Sequence, residues 1–179
     1  MQKTLFAAAT LGCLAGAGHA QDFTLTSPDI AEGRQLDAAQ VLDGFGCEGG
    51  NLSPALSWSG APDGTGSFVV TVYDPDAPTG SGWWHWVVFN IPADATGLPR
   101  GAGAGDLPQG AVQSRTDFGT PGFGGACPPP GEVHRYEFTV HAIAAERLKL
   151  GADAAAAMVG FMTNAQALDS ATITAVYTR

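Results

Sequence analysis

Residues 67–73 read SFVVTVY and residues 84–91 read WHWVVFNI, separated by the stretch DPDAPTGSGW at residues 74–83. Both runs are short and rich in β-branched and aromatic residues, and each is closed by a turn signal, Asp-Pro after the first and Pro92 after the second. They are too short for buried helices of ordinary length and carry no helical periodicity. Two adjacent buried strands are therefore the starting frame. Residues 134–143 extend it: Tyr136, Phe138 and Val140 alternate with Arg135, Glu137 and Thr139, as a strand with one buried face requires.

Weaker strands are expected at residues 23–26, 55–58, 111–116 and 171–177. One stretch reads as helix, residues 153–168 (DAAAAMVGFMTNAQAL), with Met158, Phe161, Met162 and Ala165 expected on its buried side. With 25 Gly and 12 Pro in 179 residues, turns dominate over long helices. The pattern predicts a mostly β fold: an antiparallel β-sandwich of two sheets, with Gly/Pro-rich loops and one C-terminal helix.

Seventeen acidic residues against eight basic ones give a net charge of −9. Such a surface offers no footprint for nucleic acid and is repelled by anionic lipid. The 45% hydrophobic content is enough to build a core and argues against a disordered chain.

Residues 1–20 read as a secretory signal peptide. Lys3 gives the positive start, residues 5–17 are apolar or small, and Gly18-His19-Ala20 precedes polar Gln21-Asp22. The apolar run is too short for a membrane span. Leu11-Gly12-Cys13 partly fits a lipoprotein acceptor, although Thr10 stands where an aliphatic residue is wanted. The expected organisation is a leader followed by one domain, residues 21–179, delivered to the periplasm or secreted. Beyond the leader stand two cysteines, Cys47 and Cys127. In an exported protein they read first as a disulfide, worth roughly 4–5 kcal/mol by loop-closure entropy. Two separate buried thiols are the alternative.

No G-x-S-x-G, H-E-x-x-H, C-x-x-C or G-x-x-x-x-G-K pattern occurs. The glycines at 101–105 and 119–125 follow no βαβ pattern and read as turns. No cofactor and no metal is assigned. What is left is a set of polar residues at strand ends: Asp74, Asp76 and Pro78 after the first strand, Trp83 and His85 opening the second, and His134 and Tyr136 opening the third. Each has an ordinary structural explanation, since Asp-Pro starts turns and indoles fill cores. Together they could converge on one concavity at the end of a sandwich, where loops cluster.

The runs DPDAPTGSGWWHWVVFNIP (74–92) and RTDFGTPGFGGACPPPGEVHRYEFTVHAI (115–143) resemble the phosphatidylethanolamine-binding protein family, in particular its bacterial, Raf kinase inhibitor-like branch. The resemblance implies a β-sandwich with a small anion pocket at one end. By position, Asp74 and His85 match the pocket acid and histidine, and Asp76 and Pro78 complete the first motif. Trp83 matches the aromatic wall, while His134 and Tyr136 match the contributions of the second motif. The proline loop at 127–130 is expected to line the mouth. Trp86 and the cysteine pair belong to the bacterial branch, so the kinase partners of eukaryotic relatives do not transfer.

Physically, the N–H groups of His85 and His134 and the Tyr136 hydroxyl can donate to an anion. Asp74 is expected to accept the second N–H of His85. A zwitterionic head group or a protonated histidine would each relieve repulsion between Asp74 and the anion. The first functional expectation is an exported, non-enzymatic binding protein for a small anionic or zwitterionic ligand such as a phospholipid head group. The second is a protein-interaction or inhibitor role with an unnamed partner. The third is an acid–base or metal-dependent hydrolase built on Asp74, Asp76, His85 and His134.

Overall fold

A computed structural model describes residues 22–179, so the expected leader and Cys13 lie outside the described residues. The strands follow in the order β1 (Thr24–Thr26), β2 (Asp43–Gly44), β3 (Cys47–Glu48), β4 (Leu56–Ser59), β5 (Ser67–Asp74), β6 (Trp83–Pro92), β7 (Gly97–Leu98), β8 (Val112–Gln113), β9 (Val133–Ile143) and β10 (Ala167–Thr178). One α-helix, α1 (Ala156–Asn164), precedes β10. β10, β9, β5, β6 and β8 form a five-stranded antiparallel sheet in that order. β1, β4 and β7 form a second, three-stranded sheet, and β2 pairs with β3 as a hairpin.

β5 lies at the centre of the large sheet, and both of its faces are covered. On one side Phe68, Val70 and Val72 meet Leu25, Leu56 and Trp58 of the small sheet in the main core. On the other, Val69 packs with Val87, Phe89 and Ile143 under Val159 of α1. A strand buried on both faces has no polar face to alternate with, which is why SFVVTVY is a continuous run. Tyr136, Phe138 and Val140 are all buried, as the alternation of β9 requires.

The helix differs from its sequence expectation in length and in face. It is shorter than residues 153–168, because Ala167 already pairs with Ile143 and Leu168 belongs to β10. Its buried residues are Ala156, Val159 and Thr163, whereas Met158 is 50% and Phe161 68% exposed. Met162 is half-buried against the same cluster as Val159, and Gly160 lies by the Trp84 ring, where a Cβ would stand at an ordinary contact distance of 3.4 Å. The expected strand at 111–116 is reduced to β8, and the strand at 171–177 grows to the whole of β10.

The β5–β6 ladder is irregular next to the end of β5. Val72 faces Trp86 and Tyr73 faces Trp84, so His85 is the extra residue of a β-bulge. A bulge takes a side chain out of the strict in–out alternation and re-aims it.

Candidate functional site

Asp74 ends β5 and organises the turn after it. Its Oδ1 accepts the backbone N–H of Asp76 at 2.8 Å and of Ala77 at 3.0 Å. This is the aspartate-centred turn that Asp-Pro sequences favour. Its Oδ2 accepts from His134 Nδ1 at 2.7 Å, and His134 Nε2 donates to Glu132 at 3.1 Å. Both partners are carboxylates, so both ring nitrogens carry protons and His134 is an imidazolium. Burial alone would lower its pKa, but the bonds to Asp74 and Glu132 outweigh that and raise it.

His85 has the opposite character. Its Nδ1 donates to the Gly124 carbonyl at 2.8 Å. A carbonyl can only accept, so in the neutral ring the proton is on Nδ1 and Nε2 keeps its lone pair. Burial lowers the His85 pKa, against the bonds to Gly124 and Gly125 and the charges of Asp74 and Asp117. The surroundings therefore favour the neutral form of His85 and the charged form of His134.

This geometry corrects two expectations. Asp74 does not orient His85: it bonds His134, while His85 is oriented by a loop carbonyl. His134 does not offer an N–H to a ligand, because both are already given to carboxylates. The bulge at His85 and the register of β9 decide these pairings, and neither is visible in residue spacing.

A cavity of about 210 Å³ opens at these strand ends. Asp74, Pro78, Trp83, His85, His134 and Tyr136 all line it, so six of the seven expected ligand-site residues come together. Asp76 does not. It turns away to take the Arg135 backbone N–H and the guanidinium in three bonds of 2.7–2.9 Å. The Arg135 hydrogen bond holds its carboxyl down at about 2. Asp76 is a clamp between the 74–78 turn and β9.

Two donors on the wall are unspent. Tyr136 is 1% exposed, and its hydroxyl is buried without a hydrogen-bond partner. The Cys127 amide lies near enough to pull its pKa down, yet forms no bond of normal geometry. Burial, with Asp74 beside it, pushes the phenol well above its ordinary range, so it stays protonated. The Trp83 indole N–H is likewise buried and unpaired.

Phe118 is a wall residue that the sequence reading passed over. Its ring lies 5.3 Å from Trp83 and 5.4 Å from His85, both edge-on, and 5.9 Å from Phe45. Its signal was an aromatic residue set in a loop of turn formers, Asp117-Phe118-Gly119, where burial needs a partner elsewhere. Glu132 was also missed, two residues before the histidine it holds. Another part of the wall is Phe45 of the β2–β3 turn with Cys127, Pro128 and Pro129. A Cys47–Cys127 disulfide joins these two segments. Arg179 braces the same pair, donating to Pro128 O at 2.7 Å and Gly46 O at 2.9 Å.

A larger groove of about 850 Å³ runs along residues 55–57 and 92–99. Its one ionisable residue is Asp94, and it has no unpaired buried donor, so the smaller cavity is the candidate site. Among the described residues no group of three or more His, Cys, Asp or Glu is placed to hold a metal ion.

A sandwich of two antiparallel sheets with a small cavity at its strand ends defines a class, and comparison with known proteins agrees on it. The phosphatidylethanolamine-binding protein family model matches residues 26–178. The UPF0098 protein YbcL of Escherichia coli is 54% identical over 179 residues, 98% of each chain. YbhB of the same organism is 54% identical over 155 residues, 86% of this chain and 98% of YbhB. The crystal structure of YbcL, described as a new member of the mammalian PEBP family, superposes with a TM-score of 0.87 at 55% identity, covering 89% of this chain and 99% of YbcL's. A Mycobacterium tuberculosis protein named as a lipoprotein, LppC, is 34% identical over 75% of this chain and 62% of its own length. The chain belongs to the phosphatidylethanolamine-binding protein family.

Proposed function

We propose that this protein is an exported binding protein that takes a small anion, or the anionic part of a phospholipid head group, into the cavity bounded by Trp83, His85, Phe118 and Tyr136. One observation carries the reading: Tyr136 and Trp83, which line the cavity together with His85, each bury a donor with no partner. Buried donors left unpaired cost about 1–3 kcal/mol each, a cost that a ligand bringing acceptor atoms removes. Asp74 has little left for an ammonium group, since both of its oxygens are engaged. An anionic oxygen is the better match. Export is supported by the leader-like residues 1–20, the lipoprotein named among the relatives, and the disulfide. No helix of the described residues is long and apolar enough to cross a membrane.

The test is thermal unfolding with phosphate, phosphoethanolamine, acetate, zinc or EDTA, wild type beside His85→Ala. At a hundredfold excess over Kd, a ligand of the native state adds about 2.7 kcal/mol. For a chain of this size that raises Tm by roughly 5–11 °C. A rise with phosphate compounds that His85→Ala lacks is expected. A rise with zinc and a fall with EDTA would move the reading to a metal enzyme. A second reading, docking of a partner protein, is favoured by Phe45, which is 71% exposed at the cavity rim and held at φ 52°. It predicts partner binding that survives His85→Ala.

A further inference from the structure

The hydrogen bonding of the cavity gives its binding reaction a proton stoichiometry. Two residues that line the wall, Tyr136 and Trp83, bury donors without partners, Oη–H and Nε1–H. The third polar group, His85 Nε2, carries a lone pair, because Nδ1–H is committed to the Gly124 carbonyl by the bulge and the loop together. An anionic oxygen placed against that nitrogen sets lone pair against lone pair. One proton between them removes the conflict and turns the contact into a charge-assisted hydrogen bond.

The charged groups around His85 favour that proton. Asp74, at the end of β5, and Asp117, in the loop after β8, both act on the ring as negative charges. From β9 come Tyr136, which is neutral, and His134, whose two protons are already held by Asp74 and Glu132 and are in place before a ligand arrives. The proline segment adds no titratable group, since Cys127 is in the disulfide. His85 thus presents a ring nitrogen without a hydrogen-bond partner in the structure, the place where a proton can be taken up on binding.

We infer that an oxyanion bound here is held with one added proton, shared between a ligand oxygen and His85 Nε2, so that binding takes up a proton and weakens as pH rises. This rests on the binding reading above. It also sets the preferred ligand state, a phosphate monoester with one proton over the fully ionised dianion.

Phosphoethanolamine is a suitable probe, because a phosphomonoester loses its second proton near pH 6. Calorimetric titration at about pH 8, in buffers of differing ionisation enthalpy, should show uptake of about one proton per ligand bound. Affinity should fall about tenfold per pH unit above neutrality. On binding, the ring-nitrogen resonance of His85 Nε2 should move from its lone-pair position to its protonated position. In His85→Gln, which can present an amide N–H instead, proton uptake should fall to near zero. Binding without proton uptake, uptake undiminished in His85→Gln, or a protonation shift seen on His134 instead would each overturn the inference and leave the anion site standing. Absence of binding at every pH would overturn the binding reading, and the inference with it. The wild-type proton count and resonance decide the matter if His85→Gln does not fold.

Discussion

Replacing Tyr136 by Phe should make the empty protein more stable and the binding site worse. The ring is 1% exposed and keeps its edge-on contact with His85, 5.2 Å between centroids, so the substitution removes the hydroxyl and little else. That hydroxyl is buried without a partner, a condition costing about 1–3 kcal/mol. Relief of about 1–2 kcal/mol corresponds to a Tm higher by roughly 2–8 °C. Binding changes in the other direction. A hydrogen bond to a charged acceptor contributes about 1.5–3 kcal/mol, so affinity for phosphoethanolamine should fall roughly ten- to a hundredfold. Scanning calorimetry of the unliganded variant and titration calorimetry of its complex measure the two halves separately. A lower Tm in the empty variant, or an affinity equal to wild type, would show that the hydroxyl already has a partner and does not face the ligand.

Asp76→Asn should cost about 1 kcal/mol, because the clamp on Arg135 is 29% exposed on the acid side and solvent screens it. Since its pKa is depressed from 3.8 to about 2, the wild-type contribution is present above pH 3.8 and vanishes as pH falls through 2. Urea midpoints of the two proteins should converge across that window, with ligand affinity close to wild type at neutral pH. His141, next to Thr71 Oγ1 at 3.3 Å, has its pKa pulled down by burial to about 4. Between pH 6.5 and 4 the unfolded chain binds the extra proton, so stability falls with pH there by about 1–3 kcal/mol. Urea melts of His141→Gln at pH 7, 6, 5 and 4 should show a shallower decline. On α1, Phe161→Gln should change the urea midpoint by no more than about 0.5 kcal/mol equivalent. Val159→Ala, which removes a fully buried side chain, should cost about 2 kcal/mol by the same assay.

The strands that build the site were legible because each carries a local signature. SFVVTVY has no polar face to show, β9 alternates cleanly, and Pro92 and the Asp-Pro turn mark ends that need no tertiary context. The helix was misread for a physical reason. Hydrophobicity named Met158 and Phe161 as its core face, but a helix of nine residues turns one narrow side to the sheet, and that side carries Ala156, Val159 and Met162. The site divides the same way. Asp74, Trp83, His85, His134 and Tyr136 were found as residue types at strand ends, where chemistry-bearing side chains gather. Which carboxylate holds which histidine was not found, since that depends on a one-residue bulge and on a carbonyl of a loop 39 residues away. Asp76 and Pro78 look equivalent in the motif, yet Pro78 lines the cavity and Asp76 faces Arg135, a difference set by the side of the turn each occupies.

The bridge between Cys47 and Cys127 has a consequence for when the protein becomes competent. It fastens the segment bearing Phe45 to the segment bearing Pro128 and Pro129, and these two pieces make up one wall of the cavity. A chain made in a reducing cytosol carries both sulfurs as thiols. Until they are oxidised, the two segments are joined by the hydrogen bonds of Arg179 and by the backbone pairing of residues 40–42 with Ala126. On the export and anion-binding readings, the covalent fastening of this wall comes after delivery, so the cavity gains its full rigidity only in the oxidising compartment.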